Sequence, residues 1–150
     1  MEFIIRRCKL CDAFALHILN KNEMGYDYPI EKTENNLKAA LEKDHEAIFV
    51  AESEGSVVGY IHASVYELLF TEKGVNILGI AVSSEHIRKG IGRALVGAVE
   101  EWAIDCGGRY IRLVSGESRK NAHSFYEKCG FTSNKMQKNF KKRIKKEKAE

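Results

Sequence analysis

Between positions 88 and 93 the chain places three fixed cations, Arg88, Lys89 and Arg93, around the pair Gly90-Ile91-Gly92, a short turn, Ser83 to Ile87, after the apolar run Ile77-Leu78-Gly79-Ile80-Ala81-Val82. Glycines at a strand-to-helix junction let backbone N–H groups at the helix start approach a large anion, and the helix dipole adds partial positive charge there. The three cations reinforce the same spot, so a diphosphate is the natural occupant. Taken alone, two glycines at such a turn are equally consistent with tight packing. A dinucleotide-binding unit is the obvious competitor. It wants three glycines, an acidic residue about 20 positions further on, and an N-terminal βαβ unit, whereas this chain has an antiparallel meander in that place.

A second stretch adds independent information: Ser115-Gly116-Glu117-Ser118-Arg119-Lys120-Asn121-Ala122-His123-Ser124-Phe125-Tyr126-Glu127-Lys128-Cys129-Gly130-Phe131. Together the two stretches resemble the paired hallmarks of the GNAT superfamily of N-acetyltransferases, in which the first is the acetyl-CoA signature and the second a helix ending in Phe-Tyr-Glu-Lys-x-Gly-Phe. The order of elements is similar over essentially the whole chain. Arg119-x-x-Ala122-His123-x-Phe125-Tyr126 is similar to a branch with aminoglycoside-modifying and diamine-type enzymes.

The resemblance implies acetyl-CoA as co-substrate and no metal. Its pantetheine arm would bond to backbone at Ile80, Ala81 and Val82, in a gap where that strand splays from Tyr110 to Val114. Its diphosphate would rest on Arg88, Lys89, Gly90, Ile91, Gly92 and Arg93. Ile87 stands where the family's Arg or Gln is usual, so that role passes to Arg88 or to backbone. Arg119 or Asn121 replaces an Asn that many members carry. Tyr126 is the implied general acid for the departing thiolate; otherwise it is an aromatic packed beside Phe125 and Phe131. The segment Glu23, Tyr26, Asp27 and Tyr28, joined by Asn76, would line the acceptor site. Carboxylates among aromatic rings suit a cation, although the same segment reads equally well as a turn with partly buried aromatics.

An aliphatic ammonium with a pKa near 10.4 costs about 4 to 5 kcal/mol to present as free amine at neutral pH. A base is therefore needed, but Asn76 occupies a position that is Glu in some relatives. Deprotonation through water is expected, with Glu67, Glu72, Glu117 and His62 as the titratable neighbours. Glu85 is assigned to capping or solvent, and neither it nor His86 is taken as catalytic. The reading is an N-acetyltransferase acting on a primary amine of a small cationic molecule or peptide. A catalytically weak CoA-binding module of the same fold is the alternative.

The elements that must position these residues follow from periodicity. Phe3 to Arg6 reads as a strand, followed by a helix through Leu10, Phe14, Ile18 and Leu19, with Gly25 and Pro29 breaking it. Thr33-Glu34 opens a second helix carrying Leu37, Ala40 and Leu41 inward. Ala47 to Glu52, Val57 to Tyr66 and Val75 to Val82 form an antiparallel meander, with Glu54-Gly55 as a hairpin. From Gly90 the period becomes helical, with Ile91, Leu95, Val99, Trp102 and Cys106 on one face, and Gly107-Gly108 ends the helix. Tyr110 to Val114 is a strand, Arg119 to Lys128 a helix, and Phe131 to Phe140 a final strand or hairpin after left-handed Gly130. This is an α/β chain with a mixed, mostly antiparallel sheet.

With 150 residues and 44% hydrophobic composition, one domain with a real core is expected, running 1–150 with a basic tail from about 143. Residues 135–150 hold eight Lys or Arg against two Asp or Glu, so the net +3 hides a body near −3. Such a body suits a cationic substrate better than nucleic acid, and the tail is read as solvated. No run approaches the roughly 20 apolar residues of a membrane helix, and a cytoplasmic protein that does not engage membrane is expected. Cys8, Cys11, Cys106 and Cys129 are read as reduced, buried thiols rather than a dithiol or zinc centre. A homodimer is the default assembly.

Overall fold

The computed structural model describes residues 2–116, 119–133 and 135–145. The chain divides into two compact units, Met1–Val114 and Ser115–Glu150.

In the first unit the elements run β1 (Ile4–Arg7), α1 (Ala13–Met24), α2 (Ile30–Leu41), β2 (Glu46–Ser53), β3 (Ser56–Tyr66), β4 (Gly74–Val82), α3 (Ile91–Asp105) and β5 (Ile111–Arg112). The five strands form one sheet in sequential order. The first four pair antiparallel and β5 joins β4 in parallel. Among the described residues, no helix is long and apolar enough to cross a membrane.

Alternation along β3 sends successive side chains to opposite faces. Tyr60 meets Asn20 and Met24 of α1, while Gly59 backs onto Ile91 and Leu95 of α3. One core layer therefore joins Leu16, Leu19, Leu37 and Ala40 to Ile48, Val50 and Tyr60. On the other side of the sheet, α3 buries Ile91, Leu95, Val96 and Val99 almost completely.

Gly59 sets the approach of α3. A Cβ there would stand 3.1 Å from the Ala81 carbonyl oxygen and 3.3 Å from Ile91 Cγ2. The carbonyl cannot move without disturbing the β3–β4 ladder. Gly59→Ala is expected to lower stability by about 1 to 2 kcal/mol, the usual cost of overfilling a packed site; chemical denaturation of the variant measures it.

Several sequence expectations change. The second helix starts at Ile30, because Pro29 with φ −54° is preset for a helix entry and Thr33 lies inside the first turn, its hydroxyl donating to the Pro29 carbonyl at 3.1 Å. Phe14, Leu10 and Leu41 are exposed; α1 instead turns Ala13, Leu16 and Leu19 inward. Of the cysteines only Cys8 is buried, with Cys11 exposed and the other two intermediate; all four are free thiols. Burial pushes the Cys8 thiol up to about 12, which removes the thiolate that dithiol chemistry would need.

In the second unit α4 spans Lys120–Lys128, and Gly130 at φ 95° is left-handed as expected. The expected strand from Phe131 to Phe140 is absent among the described residues. Met136 and Phe140 are 72% and 88% exposed, so the alternation of this lysine-dense segment buries no apolar face that could hold a ladder.

Candidate active site

Strand β4 is the spine of the site. Its register against β3 runs Gly59↔Val82, Tyr60↔Ala81, Ile61↔Ile80 and His62↔Gly79, then slips so that Ala63 faces Ile77. Leu78 is thus the extra residue of a β-bulge, and it is 51% exposed. A bulge bends its strand and ends regular pairing. On the other edge, β5 pairs with β4 only at Val75↔Ile111 and Asn76↔Arg112. Beyond those two residues no strand among the described residues pairs with Ile77–Val82 on that side, so its edge backbone is left without a ladder partner.

This splayed edge was expected, but the fifth strand is two residues long rather than Tyr110 to Val114. Asn76 does not stand free: its amide oxygen accepts from Arg112 Nη1 at 2.9 Å, and Arg112 stacks over Tyr66 at 4.5 Å. These contacts fasten the end of β4 that remains paired. Gly74 admits the Tyr110 ring at the same end, where any Cβ would collide with it.

β4 leads through a 3-10 turn at Ser84–His86 into the junction before α3. Arg88 has φ 64° and Gly90 φ 83°, both left-handed. Gly90 is the N-cap of α3, with no side chain on the helix end, and its carbonyl accepts from Ala94 N at 3.0 Å. The N–H groups of Ile91 and Gly92 precede the first intrahelical bond and so have no acceptor within the helix. Left-handed residues alternating with others form a concave nest of N–H groups. Arg88, Lys89 and Arg93 are exposed around it. Backbone donors and cations of the type a diphosphate requires are therefore gathered at one turn.

Of the proposed acceptor segment, Glu23 accepts from the Ser84 backbone N–H at 3.0 Å, which ties α1 to the turn after β4. Tyr26, Asp27 and Tyr28 are exposed. Tyr28 alone of the four lines a groove on the α1–α2 face of the sheet, together with Asn20, Asn36, Tyr60 and His62. Tyr60 donates to Asn20 Oδ1, and burial pushes its phenol up to about 12. His62 bonds Glu46 Oε1 at 2.7 Å. The Glu46–His62 pair was invisible as a pair in the sequence; only the β2–β3 register brings them together.

In the second unit Tyr126 is buried, edge-on to Phe125 and Phe131 at centroid distances of 5.5 and 6.0 Å. Burial pushes its phenol above the ordinary range, against the pull of the Arg119 charge. Arg119 caps α4 and Asn121 lies in its first turn, both exposed. Glu67 and Glu72 are exposed, and Glu117 lies outside the described residues.

Residues 13–131 match the model of the acetyltransferase (GNAT) family. N-acetyltransferase family 8 member 2 of Rattus norvegicus is 39% identical over 88 residues, 58% of this chain and 39% of its own. N-acetyltransferase 8 of Homo sapiens is 36% identical over 95 residues, 63% of this chain and 42% of its own. The chain thus spans about two fifths of the length of these two relatives. YhfO of Bacillus subtilis, described as an uncharacterized N-acetyltransferase, is 28% identical over 131 residues, 85% of this chain and 88% of its own. Among solved structures, the aminoglycoside 6'-N-acetyltransferase AAC(6')-Ih of Acinetobacter baumannii superimposes with TM-score 0.84 at 20% identity, over 95% of this chain and 99% of its own. AAC(6')-Iy, in complex with the bisubstrate analogue CoA-S-monomethyl-acetylneamine, gives 0.85 at 20% identity, over 96% and 100%. Those two likenesses carry the fold, and the family match carries the assignment: the chain belongs to the acetyltransferase (GNAT) family.

Proposed function

We propose that this chain transfers the acetyl group of acetyl-CoA to a primary amine of a small cationic molecule or peptide. The observation that carries the reading is the continuity of one strand: the open edge of β4 from Ile77 to Val82 runs into the left-handed Gly90 turn at the start of α3. An extended chain lying along that edge would find backbone partners at Ile80, Ala81 and Val82. Its diphosphate end would reach Arg88, Lys89, Arg93 and the N–H groups of Ile91 and Gly92. The co-substrate supplies an activated acyl carbon, which the amine attacks as the carbon–sulfur bond breaks.

Tyr126 is assigned to donate a proton to the leaving thiolate. A phenol held above its ordinary range by burial stays protonated at neutral pH, as a general acid must. Arg119 or Asn121 is assigned to the nucleotide end. The exposed pair Tyr26 and Tyr28, with Asp27, offers ring faces and a carboxylate to a cationic acceptor. The aminoglycoside acceptors named for the structural neighbours are polycationic and fit this chemistry.

The test is release of CoA by purified protein with acetyl-CoA and a panel of neamine, spermidine, a free amino acid and a short peptide. Turnover with at least one amine is expected. CoA binding without turnover on any amine would instead favour a binding module that keeps the fold. Tyr126→Phe is expected to lower turnover about tenfold while calorimetric CoA affinity stays within twofold, because the lost hydroxyl acts on the leaving group. Unchanged turnover would remove the general-acid assignment.

A further inference from the structure

His62 sits on β3 opposite Gly79, one strand in from the open edge of β4, a lateral step of about 4.8 Å. Gly79 has no side chain: an added Cβ would stand 3.6 Å from the Tyr60 hydroxyl and 3.9 Å from Met24 Cε. No side chain at position 79 therefore stands between His62 and the edge of β4. His62 and Tyr60 both line that groove.

The His62 ring is held by one nitrogen. Nε2 is 2.7 Å from Glu46 Oε1. The other oxygen of Glu46 takes Lys43 Nζ at 3.3 Å, with His45 Nε2 at 3.8 Å. Burial disfavours the Glu46 carboxylate, yet the bonds from His62 and Lys43 outweigh it and hold the group below the usual glutamate range. An ionised Glu46 accepts and cannot donate, so Nε2 must carry the proton. That tautomer leaves Nδ1 with its lone pair. Nδ1 has no protein partner among the described residues and is not sealed from solvent.

From this geometry we propose that His62, oriented by Glu46, is the base that takes the proton from the acceptor ammonium. The proposal deepens the acetyltransferase reading and rests on it. Nδ1 takes one ammonium proton, and the freed nitrogen lone pair attacks the acetyl carbon. As the carbon–nitrogen bond forms and the carbon–sulfur bond breaks, a second N–H proton is lost and the thiolate gains one. The net proton leaves through His62 to solvent. Glu46 touches no reacting atom and is a positioning residue.

The other titratable groups facing this site are Glu46 from β2, Lys43 and His45 from the segment before it, Tyr60 on the same strand, and Tyr28 from the segment between α1 and α2. Asn20 and Asn36 add no charge. Glu67 and Glu72, the acidic alternatives among the described residues, are exposed on the β3–β4 loop and line no part of the groove.

The experiment uses the full chain with acetyl-CoA and whichever of neamine, spermidine or the short peptide the wild type acetylates fastest, from pH 6 to 9. His62→Gln is expected to lower kcat/KM at pH 7 about 100-fold, within the usual range for a general base, and to flatten the acid limb of the profile. Calorimetric affinity for CoA should remain that of the wild type, and a cooperative thermal transition should show that the variant is folded. Glu46→Gln keeps the shape but frees the tautomer, and should lower kcat about tenfold with KM unchanged. An acid limb retained by folded, CoA-binding His62→Gln protein overturns the proposal while leaving the acetyltransferase reading intact. Wild-type protein that binds CoA yet acetylates none of these amines overturns both.

Discussion

Replacement of Gly90 by valine is expected to weaken CoA binding by more than about 100-fold, equivalent to about 2.8 kcal/mol at 1.4 kcal/mol per decade. Gly90 has φ 83°, and a side chain there would meet nothing within 4 Å. The penalty is therefore one of backbone conformation alone. A β-branched residue in the left-handed region is a genuine outlier, so the turn would relax and re-aim the N–H groups of Ile91 and Gly92. The helix behind it is anchored by Ile91, Leu95, Val96 and Val99, so global stability should fall by no more than about 1 to 3 kcal/mol, the range for a single strained residue. Gly90→Asn provides the control, because asparagine visits this region readily and should retain most of the affinity. Isothermal titration of both variants with CoA separates the outcomes. Equal affinity for valine and wild type would remove the anion turn from the account.

Loss of Asp12 is expected to damage the fold of the first unit severely. Its carboxylate is 6% exposed and accepts from Arg6 Nη1 and Nη2, both at 2.9 Å, and from the Lys9 N–H at 2.8 Å. Arg6 also donates to Glu52 at 2.9 Å. Through this pair the turn before α1 is bolted to β1 and β2. Removing one partner of a buried pair typically costs about 3 to 5 kcal/mol. Arg6 keeps Glu52 and some solvent access, so Asp12→Ala should lie near the lower end.

The pH dependence has a definite sign. The Arg6 guanidinium holds the Asp12 carboxyl below the usual aspartate range, with burial opposing and the Lys9 N–H assisting. In the acid window the unfolded state then binds more protons, so stability rises with pH there. The contribution is complete above the ordinary aspartate value of about 3.9 and is lost as pH falls through the depressed one. Glu46 acts in the same direction. Urea denaturation from pH 2 to 6 should show a shallower acid loss for Asp12→Asn than for wild type; parallel curves would show that the pair is not linked to folding.

The residues that announced themselves in the sequence are those whose meaning is local. Gly90 and Gly92 with Arg88, Lys89 and Arg93 lie within six positions, and the left-handed conformation such a turn needs is a property of neighbouring residues. The meander, the α3 face and the left-handed Gly130 were legible for the same reason, since periodicity and turn chemistry act over neighbouring residues. Pro29 was legible as punctuation but misassigned as the end of one element, when it is the start of the next. The final strand failed because alternation without an apolar face to bury cannot sustain a ladder.

Residue order alone thus gave the family resemblance, the glycine turn before α3 and the order of the elements through α4, each set by interactions spanning a few residues. Tertiary structure decided the rest. The bulge at Leu78, the two-residue reach of β5, the tie between Asn76 and Arg112, and the pairing of His62 with Glu46 all depend on strand register. Register is chosen by the summed packing of both sheet faces against α1, α2 and α3, and no single stretch of sequence carries that sum.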